Sequence, residues 1–134
     1  MNARTHRLLR IALGCALVGL SCKENVGLPA PLPGNLYARL VTPNATDAAI
    51  RVTLTGPGIG AIVPSGSRLL YSFANAENAR GVAVFGDLTT GDIFAFAVPD
   101  VHHPELYTLT LVQVATNANA LRLPLTGYTL SIHD

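Results

Sequence analysis

The sequence predicts an all-β protein: a single antiparallel β-sandwich that follows an N-terminal signal segment. From Asn35 onward, apolar residues recur at every second position in short runs, the spacing at which strand side chains share a face. Gly, Pro, Asn and Asp punctuate these runs, as in Gly56-Pro57-Gly58, Pro64-Ser65-Gly66 and Gly86-Asp87. No stretch shows sustained helical spacing with caps. The 134 residues suffice for one domain, and 12 Gly and 9 Pro without any Trp suit strands and turns.

Residues 1–10 carry Arg4, Arg7 and Arg10 and no acid, and residues 11–21, IALGCALVGLS, carry no charge. A basic start before a short apolar run is the pattern of an export signal, and the run is too short to span a bilayer. It ends in Val18-Gly19-Leu20-Ser21-Cys22, which resembles the lipobox of bacterial lipoproteins, with Gly19 at a place where Leu is usual. That resemblance implies cleavage after Ser21 and lipidation of Cys22, and hence an exported protein held at the cell envelope, on the outer membrane or cell surface. Cys15 is a weaker candidate, because Arg10 lies close before it. Cys15 and Cys22 are the only cysteines, so the domain has no disulfide available, and lipidation gives Cys22 a purpose.

Without residues 1–21, six basic residues face eight acidic ones, a side-chain balance of −2. The basic residues are scattered, so nucleic-acid binding has no electrostatic support. Residues 22–34 contain Pro29, Pro31 and Pro33, which favour extended backbone and make this stretch a semi-rigid tether. Residues 35–134 are then the sandwich domain.

The strands follow in order. Leu36, Ala38 and Leu40 alternate with Tyr37, Arg39 and Val41, and Pro43-Asn44 ends the run. Ala48, Ile50, Val52 and Leu54 alternate with Ala49, Arg51, Thr53 and Thr55. A short apolar piece covers Ile59 to Val63, and Leu69, Tyr71 and Phe73 alternate with Arg68, Leu70 and Ser72. From Arg80 to Pro99, two apolar runs flank Gly86-Asp87-Leu88-Thr89-Thr90-Gly91-Asp92, and they read as a central hairpin buried on both faces. Phe85, Phe94 and Phe96 are its expected core residues. Glu105 to Ala115 reads as a long strand, Asn117 to Leu125 as irregular, and Tyr128, Leu130 and Ile132 alternate in a closing strand.

The order from Arg80 resembles the second half of a bacterial cohesin-like domain: a Gly-Val-Ala-Val strand, a Gly-Asp turn, Asp-Ile-Phe-Ala-Phe-Ala-Val, a Thr-rich strand, an Asn-rich loop and Gly-Tyr-Thr-Leu-Ser-Ile. An immunoglobulin-like sandwich fits nearly as well. The cohesin likeness implies a protein partner received on a sheet face. If the last two strands pair, Thr108 and Thr110 stand beside Thr129 and Ser131 as a polar strip, the expected partner-binding site.

Catalytic motifs are missing. No Gly-x-Ser-x-Gly elbow exists, and Gly56 to Gly60 lacks the Lys and Ser/Thr of a phosphate loop. His102-His103 would need further ligands to hold zinc, with only His133 left beyond the leader. Asp87, Asp92, Asp100 and Glu105 lack calcium-loop spacing. Asn44-Ala45-Thr46 matches a glycosylation sequon, a signal ordinarily unread in bacteria. The expectation is a binding or structural module at the envelope, with no enzymatic activity, cofactor or metal; the alternative is a secreted carbohydrate-binding or hydrolytic domain on the same scaffold.

Overall fold

A computed structural model describes residues 27–134. The expected signal segment, residues 1–21, and Cys22 lie outside the described residues. Eight strands form two four-stranded antiparallel sheets packed face to face, so the predicted β-sandwich is what the chain builds. They are β1 (Gly34–Val41), β2 (Asp47–Thr55), β3 (Ile62–Pro64), β4 (Leu69–Ala76), β5 (Ala79–Phe85), β6 (Gly91–Val98), β7 (Thr108–Thr116) and β8 (Thr129–His133). One sheet, here sheet A, has the order β3-β6-β1-β8; the other, sheet B, has the order β4-β5-β2-β7.

The alternation in β2 sorts its side chains cleanly. Ile50, Val52 and Leu54 are buried between the sheets, while Arg51 is exposed on the outside. In β1 the same pattern buries Leu36, Ala38 and Leu40. These residues meet Phe94, Phe96, Val82, Val84 and Val114 in one core. Tyr107 closes its tether end: the ring packs edge-on to Phe96 at 5.5 Å, and the hydroxyl donates to the Pro57 carbonyl at 2.9 Å. Gly56 makes that seat possible, since a Cβ there would overlap the Tyr107 ring.

The chain changes sheet at nearly every connection; only β4 and β5 are consecutive strands that pair. This corrects two expectations. The apolar runs of Arg80 to Pro99 are not a hairpin, because β5 lies in sheet B and β6 in sheet A. The loop between them arches over the distal end of the core, tied down by Gly86 N–H to the Ala48 carbonyl (2.9 Å) and Leu88 N–H to the Asp47 carbonyl (3.0 Å). Leu88, in the middle of the supposed turn, is 1 % exposed and plugs the gap between the sheets. Second, Phe94 and Phe96 are fully buried as expected, but Phe85 is 41 % exposed, because it sits on the outer side of β5.

The strands β7 and β8 do not pair either. They form edges of opposite sheets, because residues 117–128 carry the chain across from sheet B to sheet A. This crossover is bound by a buried polar cluster. Asp47, 2 % exposed, accepts Arg122 Nε at 2.8 Å on one carboxylate oxygen, and the hydroxyls of Thr42 and Tyr128, both at 2.7 Å, on the other. Asn44 Nδ2 donates to the Tyr128 hydroxyl at 2.8 Å, and Arg122 reaches the Thr46 hydroxyl at 2.8 Å. Burial alone would push the Asp47 carboxyl up; the bonds from Thr42, Tyr128 and Arg122, with the Arg122 charge, outweigh it and hold the group below its ordinary value.

Candidate binding face on sheet B

The outward side chains of sheet B follow from its register. A first cross-strand row, at the end away from the tether, runs Leu69–Phe85–Ala49–Ala115 and is extended by Leu121, which bridges to Ala115. A second row runs Tyr71–Ala83–Arg51–Gln113, and a third Phe73–Gly81–Thr53–Thr110. The edge strand β4 therefore presents Leu69, Tyr71 and Phe73 outward, with Tyr71 64 % exposed. Large apolar side chains exposed together on one contiguous face are uncommon, whereas single ones are ordinary.

The aromatic side chains are mutually positioned. Tyr71 meets Phe85 edge-on, with centroids 6.0 Å apart and planes at 76°. Phe73 covers Gly81 of the neighbouring strand, at a spot where any Cβ would run into its ring. The guanidinium carbon of Arg51 lies 5.6 Å from the Phe73 centroid. Arg51 is the charged residue of these three rows, and it makes no ion pair among the described residues. Small residues (Ala49, Ala83, Ala115, Gly81) alternate with the large ones, leaving a surface with relief: a groove of about 230 Å³ between Phe85 and Leu121.

The four residues expected to receive a partner are divided by the fold. Thr108 and Thr110 pair with Thr55 and Thr53 and share the outer face of sheet B with the aromatic rows. Thr129 and Ser131 pair with Val41 and Arg39 and belong to the outer face of sheet A. The single strip is thus corrected: it is two half-strips on opposite sheets, because β7 and β8 are in opposite sheets. Between these two edges lies a cleft of about 360 Å³, lined by Thr108, Leu109, Leu130 and Ser131 among others.

No family model, curated protein or solved structure matches the chain.

The outer face of sheet A is built differently. His133 stacks on Tyr37, with centroids 5.5 Å apart, and shares a 3.0 Å hydrogen bond with Asp92, which also faces Arg39 at 3.6 Å. Each charge there already has a partner. The loop of His102 and His103 is likewise self-contained. Asp100 accepts the backbone N–H groups of His102 (3.0 Å) and Leu32 (3.2 Å), which hold its carboxyl below the ordinary value. Val101 N–H returns a 2.9 Å bond to the Leu32 carbonyl, so the tether is fastened to this loop. His103 pairs with Glu105 at 2.7 Å, which raises the imidazole. Among the described residues, no group of three or more His, Cys, Asp or Glu is placed to hold a metal ion. No helix among them is long and apolar enough to cross a membrane.

Sequence reasoning missed the aromatic face. The residues Leu69, Tyr71 and Phe73 were visible as one side of a strand, but alternation does not tell which side turns inward. The usable signal was on the neighbouring strand: Gly81 and Ala83 are small where outward aromatic groups lie across them.

Proposed function

We propose that this chain is a non-catalytic binding module of the cell envelope, anchored through a lipid on Cys22, and that it receives a protein partner on the outer face of sheet B. The observation that supports this is the contiguous exposure of Leu69, Tyr71, Phe73 and Phe85 on one sheet face. Aromatic side chains on a rigid scaffold bury large area at low entropic cost, and they are enriched at the centres of interfaces. The edge strand β4 adds a second handle, since its outer backbone groups face no strand of sheet B and can accept one.

A protein fits this face better than a sugar chain. Tyr71 and Phe85 meet edge-on, so the two do not form a coplanar platform on which successive sugar rings would stack. The anchor rests on the basic and charge-free leader and its Ser21-Cys22 ending. Two acyl chains on Cys22 would hold the protein firmly, whereas a single chain binds marginally. The tether, fastened at Leu32, would then present the domain above the membrane surface.

The test has two arms. Intact-mass analysis of the membrane fraction should show residues 1–21 lost and lipid added at Cys22; an unmodified thiol on a soluble chain would refute the anchor. Separately, residues 27–134 should be retained on envelope fragments, and the double variant Tyr71→Ser/Phe73→Ser should not, at an unchanged unfolding temperature. Equal retention of both would refute the face.

A further inference from the structure

The two distal rows of sheet B carry a more specific site. Its floor is made by three alanines on three adjacent strands: Ala83 of β5, Ala49 of β2 and Ala115 of β7. Phe85 forms one wall and Leu121 the other. At the end of the groove nearer the tether stands Arg51, with Gln113 beside it in the cross-strand row. The groove therefore combines a narrow apolar bed with one cation at one end.

The charge at that end has the Phe73 ring as its neighbour, with the guanidinium carbon 5.6 Å from the centroid. Arg51 has no carboxylate within ion-pair distance among the described residues, and the three outward rows of sheet B contain no acidic residue. Arg68 and Arg80 also lack a carboxylate partner among the described residues, but like the other arginines they have polar partners. Arg122 is paired with Asp47, Arg39 with Asp92, and Arg68 donates to the carbonyls of Ser65, Asp87 and Asp92. Arg80 donates to the carbonyl of Ala79. A guanidinium offers a fork of donors that suits a carboxylate, and its stem lies comfortably along apolar surface.

We propose that this groove binds a single-tailed carboxylate of the fatty-acid class, the alkyl chain lying on Ala49, Ala83 and Ala115 between Phe85 and Leu121, and the carboxylate on Arg51 and Gln113. The groove is open to solvent along one side, and its volume of about 230 Å³ leaves room for a single tail of medium length. The proposal rests on the reading of this face as the binding surface and adds to it a ligand at its distal end, spanning the first row and the Ala83–Arg51–Gln113 part of the second.

The experiment uses the full chain carrying Cys22→Ser, purified without detergent, titrated by NMR at low ionic strength with octanoate and with its neutral isostere octanamide. Octanoate should saturate the amide signals of Ala49, Ala83 and Ala115 and bind about tenfold tighter than octanamide, the usual worth of a charge-assisted hydrogen bond. Arg51→Gln, an exposed substitution, should bring the two ligands to parity. Ala49→Leu should abolish binding of both. Equal affinity for the two ligands, octanoate binding unchanged in Arg51→Gln, or no saturable binding would each overturn the proposal. None of those results would alter retention through Tyr71 and Phe73, so failure of the ligand site and failure of the face remain distinguishable.

Discussion

Phe73 on β4 lies across Gly81 on β5, and a single added Cβ at Gly81 would collide with its ring. The pair links packing to the proposed surface, since the glycine gives the ring a flat seat on the outside of the sheet. Replacing Gly81 by Ala should lift the ring without breaking the fold. Glycine costs backbone entropy in a strand, and the ring has solvent to move into, so the net stability change should be about 1 kcal/mol or less. Retention on envelope fragments should fall, because the aromatic row is displaced. Urea unfolding and the retention assay, run on one preparation, check both halves.

Burial separates the phenylalanines sharply. Phe94→Ala or Phe96→Ala removes a fully buried ring and should cost about 3–5 kcal/mol, much of a small domain's stability. Phe85→Ala removes a half-exposed ring and should cost no more than about 1 kcal/mol. Chemical denaturation of the three variants measures the contrast.

How far the sequence goes is clearest in this same region. Period-two alternation in β1 and β2 identifies strands and their inner faces, because one side of each is wholly apolar. It carries no information on sheet membership, and here the chain crosses between sheets at every connection except β4–β5. Thus Arg80 to Pro99 resembles a hairpin when it is an arch. The clue was Leu88, an apolar residue in an otherwise polar turn, which an arch buries and a tight hairpin would leave in water. The polar strip failed for the same reason: Thr110 and Ser131 face opposite directions because the 117–128 crossover separates β7 from β8. The Asp47–Arg122 pair that secures it joins positions 75 apart, beyond the reach of local pattern.

Removing that pair should be costly. Asp47→Asn leaves Arg122, Tyr128 and Thr42 without their anionic acceptor and should destabilise the domain by about 3 kcal/mol, the lower end for a buried pair, because Arg122 keeps some solvent contact. The pH dependence has a definite sign. A carboxyl held below its ordinary 3.8 contributes stability that is present above that value and lost as pH falls through the lower folded value. Urea midpoints should therefore drop steeply below about pH 4 in the parent chain and less in Asp47→Asn.

His133 should titrate in the opposite sense. Its hydrogen bond to Asp92, with the Asp134 carbonyl on its other ring nitrogen, raises the imidazole above its ordinary 6.5. Whatever it contributes is present below 6.5 and lost as pH rises through the higher folded value, and its solvent exposure keeps that contribution small. NMR titration of the imidazole should give a midpoint above 6.5, and Asp92→Asn should bring it back toward 6.5.

The claim that sheet B carries the binding face is tested most directly by two outward tyrosines on opposite sheets, Tyr71 on β4 and Tyr37 on β1. Each is replaced in turn by a photoreactive benzoylphenylalanine in the full chain, and intact envelopes are irradiated. Tyr71 should give a discrete cross-linked protein adduct and Tyr37 none; adducts from Tyr37 alone, or equal smears from both, would contradict the account.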